Sequence, residues 1–169
     1  MSLKELKKYG FHVYQTEKEQ LEALKKDVEL FRFFKNPSEK VQLKAVGKNP
    51  NILQYIENLS ERVQIKVIKK NSNLFRHIKN PSEKVQIEAV KSDWTAIRYI
   101  ENPTEKVQVE AFKSDPRSFN YIKSPCQEVI IKAVTLDKSF IYTINPNSLE
   151  EDTIIKLLEI LQIKDILED

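Results

Sequence analysis

Apolar positions in this chain recur in two alternating registers. Between Ser38 and Lys48, Val41, Leu43, Ala45 and Val46 spread over a wide arc when the segment is wound as a helix. No proline interrupts the stretch, so a helix of about three turns is predicted. Its apolar arc is wider than the stripe of a surface helix, which is what a helix sandwiched between neighbours requires. A shorter apolar stretch follows, Ile52, Leu53, Tyr55 and Ile56, behind the helix-start pair Asn49-Pro50.

The whole pattern then returns at a fixed interval of 22 residues. Asn36-Pro37-Ser38-Glu39-Lys40-Val41-Gln42 reappears as Asn58 to Gln64, as Asn80 to Gln86 and as Asn102 to Gln108. A weaker copy begins at Ser124-Pro125-Cys126, and one step back reaches Tyr14 to Gln20, which keeps Thr16-Glu17-Lys18 and the glutamine. Six units therefore run from Tyr14 to Asn145. Asn36 is expected to cap a helix whose first residue is Pro37, with Glu39 reaching back in a capping box. A second cap recurs before every short stretch, at Asp27, Asn49, Asn71, Asp93, Asp115 and Asp137. One unit is thus a helix of moderate length followed by a shorter one. Neither buries its apolar face alone, so stacked copies are expected to share a continuous core.

Units of this length also suit leucine-rich repeats, which span about 20–29 residues. The Leu-x-Leu alternation of a strand is absent, however, and helix-start chemistry occupies its place. The motif Asn-Pro-Ser-Glu-Lys-Val-Gln-x-x-Ala-Val followed by Asn-Pro-Asn-Ile-Leu-x-x-Ile resembles instead the leucine-rich repeat variant, an array of alternating long and short helices. It is also similar to short HEAT-like arrays in uncharacterised bacterial and bacteriophage proteins. The resemblance covers Tyr14 to about Asn145 and is strongest from Asn36 to Lys123; it departs at Gln42, Gln64, Gln86 and Gln108, where the variant repeat typically has arginine. It implies a curved all-helical solenoid used for binding and names no ligand. Because some relatives of this style sit in mobile elements, it also implies an inhibitor of a host factor as one form of the role.

The expected fold is all-α. It is a right-handed αα solenoid forming one domain over residues 1–169, with an N-terminal cap (1–13), six repeats (14–145) and a C-terminal helical cap (146–169). Ser2 to Tyr9 is predicted as a short helix stopped by Gly10, and Ser148-Leu149-Glu150-Glu151 as a capping box opening a helix to about Leu161. That last helix and the residues after it carry more apolar surface than a cap needs, through Ile154, Ile155, Ile163, Ile166 and Leu167 among others. A monomer is the expected state, with a homodimer through the C-terminal helix as the alternative.

Composition narrows the chemistry. The 169 residues are 40% hydrophobic and 31% charged with a net charge of +3, the balance of a globular chain. Two glycines, Gly10 and Gly47, are too few for a phosphate-cradling loop. Two histidines, His12 and His77, and one cysteine, Cys126, leave no zinc cluster, disulfide or Cys-His pair. No cofactor or metal is expected. Lys4, Glu5, Lys7 and Lys8 interrupt the start, so no secretory signal is read there, and a cytoplasmic protein without membrane association is expected.

Three repeated rows carry the functional candidates. The glutamines Gln20, Gln42, Gln64, Gln86 and Gln108 lie in the middle of each apolar arc, where a buried amide must find partners; a ladder of bonds to the adjacent unit is expected. On the outer face run Lys18, Lys40, Arg62, Lys84 and Lys106, with Lys25, Lys69, Lys91 and Lys113 two turns further on. Such rows suit phosphates, although Glu17, Glu39, Glu61, Glu83 and Glu105 precede the first row and point to a mixed solvated surface. The short helices present Arg32, Gln54, Arg76, Arg98, Asn120 and Tyr142 outward, beside Phe33, Tyr55, His77, Tyr99 and Tyr121. Tyrosine and arginine anchor protein interfaces, and equally seal seams between repeats.

A non-enzymatic scaffold binding a protein through Arg32, Tyr55, Arg76, Trp94, Arg98, Tyr99 and Tyr121 is therefore the main expectation. A nucleic-acid binder using the lysine rows is the alternative. A base-excising glycosylase would need a carboxylate in an aromatic cleft, and only Trp94 beside Asp93 breaks the repeat in that sense. Cys126 stands at a helix start with no base or resolving cysteine and is expected to be a neutral substitution.

Overall fold

A computed structural model describes Tyr14 and residues 16–162. The predicted cap helix over Ser2 to Tyr9 and the apolar residues Ile163, Ile166 and Leu167 lie outside the described residues. Among those described, the chain is helical with no strand ladder; an isolated bridge joins Tyr14 to Phe34. The long helices are α1 (Glu17–Lys26), α2 (Glu39–Lys48), α3 (Glu61–Lys70), α4 (Glu83–Ser92), α5 (Glu105–Ser114), α6 (Gln127–Leu136) and α7 (Glu151–Leu161). Between them lie short helices η1 (Val28–Phe33), η2 (Pro50–Tyr55), η3 (Ser72–His77), η4 (Trp94–Tyr99), η5 (Pro116–Tyr121), η6 (Lys138–Thr143) and η7 (Pro146–Ser148). The short helices are of the 3-10 type, a tighter winding suited to pieces this short. Each long helix packs on the next long helix, and α1 to α6 also pack on the short helices flanking them.

Local chemistry sets this alternation. Every predicted cap of a short helix is in place: the side chains of Asp27, Asn49, Asn71, Asp93, Asp115 and Asp137 each accept from the backbone N–H two residues on. The start of the long helices differs from the expectation. Ser38, not Asn36, is the cap, its Oγ accepting from Val41 N–H, and helix α2 opens at Glu39 rather than Pro37. Asn36 takes φ 45° in the left-handed region, a conformation asparagine tolerates, and so forms the turn before the cap. Ser60 and Ser82 cap α3 and α4 in the same way. A reciprocal capping box occurs at Thr16 and Glu19.

Glu39 is thereby freed for a different task. In this position four of the glutamates reach one repeat forward: Glu17 accepts from Ser38 Oγ at 2.6 Å and Lys40 Nζ at 3.1 Å, and Glu61 from Ser82 at 2.7 Å and Lys84 at 2.9 Å. Glu39 accepts from Ser60, and Glu83 from Thr104. The repeated Ser/Thr-Glu-Lys is thus a clasp between neighbouring units.

The core is one continuous cluster from Leu24 to Leu157. Val41, Ala45 and Val46 of α2 are fully buried, as are their counterparts Val63, Val67 and Ile68 in α3 and Val85, Ala89 and Val90 in α4. Residues one period apart occupy equivalent sites, so burial is passed from unit to unit. At the C-terminal end, the predicted capping box at Ser148 does not form. Ser148 belongs to η7 and donates to Asn145 O, while Glu150 precedes α7 without a side-chain cap bond. Gln127 closes this end instead, donating to Ser148 O and accepting from Glu150 N–H.

Candidate functional site

The short helices expose the predicted ridge along one edge of the array. Leu53 and Ile56 are buried and Gln54 is exposed, so the outward row is the one expected. Arg32, Arg76 and Arg98 are exposed on it, and Tyr55, Tyr99 and Tyr121 stand beside them with Tyr99 57% exposed. Six-residue helices braced by an Asp or Asn cap hold these side chains on fixed positions rather than on loops.

At η4 and η5 the ridge becomes a connected cluster. Arg98 places its guanidinium 4.9 Å from the centre of the Tyr121 ring. Trp94, half-buried, lies 5.9 Å from that same ring. Arg117 sits 5.0 Å from the Trp94 ring and is held there by Asp115, to which its Nη2 donates at 2.6 Å. This pairing lowers the Asp115 carboxyl below its ordinary range and raises the guanidinium. Trp94 therefore covers the junction between η4 and η5. Arg117 was missed from sequence because it follows a proline that reads as a helix start; the signal was its offset of one repeat plus one residue from Trp94.

Further along, Arg32 stacks on Phe33 at 4.9 Å and Arg76 Nε donates to His77 Nε2 at 3.1 Å. Between η2 and η3 a groove of about 1240 Å³ opens, lined by Tyr55, His77, Gln54, Leu53, Asn58 and Lys79 among others. A smaller one of about 270 Å³ lies beside Arg98, Tyr99 and Tyr121. Arg32, Tyr55, Arg76, Tyr99 and the Trp94–Tyr121 cluster thus lie along consecutive short helices, without all meeting in one cleft.

Asp93, the carboxylate beside Trp94, is engaged as a cap: it accepts from Thr95 N–H and from Thr95 Oγ1 at 2.7 Å. Among the described residues no group of His, Cys, Asp and Glu is placed to hold a metal ion, and no helix is long and apolar enough to cross a membrane. Cys126 precedes α6 with no side-chain cap bond, and burial pushes its thiol up despite the backbone N–H groups of Glu128 and Val129.

The glutamine row is only partly the expected ladder. Gln108 donates to Pro103 O and Ser124 O while accepting from Cys126 N–H at 2.7 Å, and so ties adjacent units, whereas Gln20 donates to Tyr14 O and Lys35 O within the first unit. Gln42, Gln64 and Gln86 likewise bond within their own unit, to Pro37 O, Leu59 O and Pro81 O. The turn before the long helix lies five residues back, nearer to the amide than the next unit's loop.

The lysine rows are largely neutralised. Lys40, Lys84 and Lys106 pair with Glu17, Glu61 and Glu83 of the preceding unit. Lys69 and Lys91 pair with Glu88 and Glu110 of the following one, while Lys25 and Lys113 pair with Glu22 and Glu110 on their own helix. Lys18 and Arg62 are exposed on the same face. No family model, curated protein or solved structure matches the chain.

Proposed function

We propose that this protein is a non-enzymatic binding scaffold, a right-handed αα solenoid of six repeats between helical caps, that grips a protein partner along its short-helix ridge. The observation that carries this is the Arg98–Tyr121–Trp94–Arg117 cluster: the residue types that anchor interfaces, exposed or half-buried, are held by rigid neighbours on the outer edge. Preorganised rings and guanidinium groups lose little freedom on binding, so more of the contact energy is retained. An adaptor or an inhibitor is the form such a ridge serves best, and a host factor is the partner that the resemblance to mobile-element proteins suggests. Nucleic-acid binding through the lysine rows has less support, because most of those cations already neutralise a glutamate.

The test compares the parent protein with the double variant Arg98→Ala, Tyr99→Ala in a pull-down from the native host read by mass spectrometry. A partner captured by the parent and lost by the folded variant supports the ridge; an unchanged capture profile removes it. A gel shift with duplex and single-stranded DNA at low salt, steeply weakened by added salt, would favour the lysine rows instead.

A further inference from the structure

The ion pairing that covers the outer face of the long helices is thinnest between α2 and α3. In α4 and α5, Glu88 and Glu110 take the lysines of the preceding helix, Lys69 and Lys91. The equivalent residues of α2 and α3 are Lys44 and Lys66. Gly47 stands where four other units have Lys25, Lys69, Lys91 and Lys113 and the last has Thr135, and the Lys66 stem passes over it, with Cε 3.5 Å from the point a Cβ would occupy. Among the described residues, Lys44, Arg62, Lys66 and Lys70 make no ion pair. Residues 58–79 hold six Lys and Arg against Glu61 alone.

Between α2 and α3 this face forms a groove of about 400 Å³ lined by Leu43, Ile65, Arg62, Lys66, Lys69 and Lys70. It has an apolar floor and a cationic rim. The matching occupant is a helix with an apolar stripe bordered by carboxylates. No aromatic ring lines the groove, so the stacking that single-stranded nucleic acids use is lacking.

The chain carries such a helix itself. On α7, Thr153 and Leu157 are buried, and the other side presents Ile154 (41% exposed) and Ile155 (37% exposed). Glu151, Ile155 and Glu159, four residues apart, follow one another along that side, with Asp152 adjacent. Residues 146–169 hold seven Asp and Glu against two Lys, the inverse of residues 58–79. We propose that α7 of a second copy docks in the α2–α3 groove. Each copy carries both halves, so two antiparallel copies make the contact twice and close as a symmetric pair. This contact uses the outer face, away from the short-helix ridge, and stands or falls separately from the scaffold reading.

Sedimentation equilibrium of the full chain tests it, up to about 100 µM and at about 0.05 M and about 0.5 M salt. A monomer–dimer equilibrium weakened by salt is expected. Lys66→Glu with Lys70→Glu, and separately Glu151→Lys with Glu159→Lys, should each weaken it tenfold or more with unchanged circular dichroism. Mixing those two variants restores opposite charge at both contacts, so a heterodimer should return. If a reversed variant is unfolded, Lys66→Gln with Lys70→Gln serves, with a smaller loss expected. Monomer throughout at low salt, dimers indifferent to reversal, or no heterodimer on mixing would overturn the proposal. DNA binding lost in the Lys66→Glu, Lys70→Glu variant of a monomeric protein would overturn it in favour of a polyanion site. Arg98→Ala with Tyr99→Ala should leave dimerisation unchanged.

Discussion

The carboxylate of Glu61 is shared between two groups of the next repeat, Ser82 Oγ at 2.7 Å and Lys84 Nζ at 2.9 Å. Its hydrogen bond from Ser82, then that from Lys84, lowers its pKa from the ordinary 4.5, and the same causes in the same order act on Glu17. A carboxylate held below its unfolded pKa stabilises the fold above that unfolded value, and the effect is lost as pH falls further, through the lowered folded pKa. Stability is therefore expected to decline on acidification below about pH 4.5, from this cause, while remaining flat towards neutrality. Denaturant midpoints at pH 7 and pH 3 check it: Glu17→Gln with Glu61→Gln should narrow the difference, and an unchanged difference would contradict the clasp.

Ile97 is buried at the inner side of η4, two residues from Tyr99, which is exposed on the same short helix. Ile97→Ala removes buried volume and should cost about 2–5 kcal/mol. Tyr99→Ala should change stability by no more than about 0.5 kcal/mol. Urea unfolding of the two variants separates core from ridge, and equal losses would mean that Tyr99 seals a seam.

Gln108 and Gln64 occupy equivalent positions but make three bonds and one bond to protein, respectively. Gln108 is only 5% exposed. Gln108→Leu leaves the Cys126 N–H and two carbonyls unpaired, at a cost of about 1–3 kcal/mol for an unmet buried group. Gln64→Leu should cost less than half as much. Comparable losses would show that the amide row acts through packing alone.

Trp94 is the single tryptophan, and its ring lies close to both Tyr121 and Arg117. Its fluorescence therefore reports on this junction without competing signals. Tyr121→Ala should shift the emission to the red and raise acrylamide quenching, with circular dichroism unchanged. An emission spectrum identical to the parent would place the ring contact elsewhere.

The period and the two classes of helix were legible because helix-start residues recur in register with the apolar positions. Asp27 and its five counterparts, at a fixed distance before a short apolar run, identified every short-helix cap. Asn36 misled because asparagine serves two purposes: it caps helices and it tolerates left-handed turns. Ser38 lies two residues on and places Val41, rather than Glu39, third in the helix, so the glutamate expected to reach back to its own cap reaches the next unit instead. At the ridge, Trp94 stood out as a break in the row, but Arg117 did not, since its contact runs between repeats. Pairwise geometry of that kind is not written in periodicity. The same holds for the unpaired cations of α3, which emerge once the glutamate partners of the other lysines are located.

The clasp makes the array a ruler with interchangeable segments. Were residues 80–101 excised, Glu61 would meet Thr104 and Lys106, which present the same hydroxyl and ammonium as Ser82 and Lys84. Length can thus change in whole steps with no new junction chemistry, and each step moves the two ends of the exposed tyrosine row closer or further apart by one fixed increment. The reach of this surface is a number of units, settled by gene duplication or loss rather than by tuning single contacts.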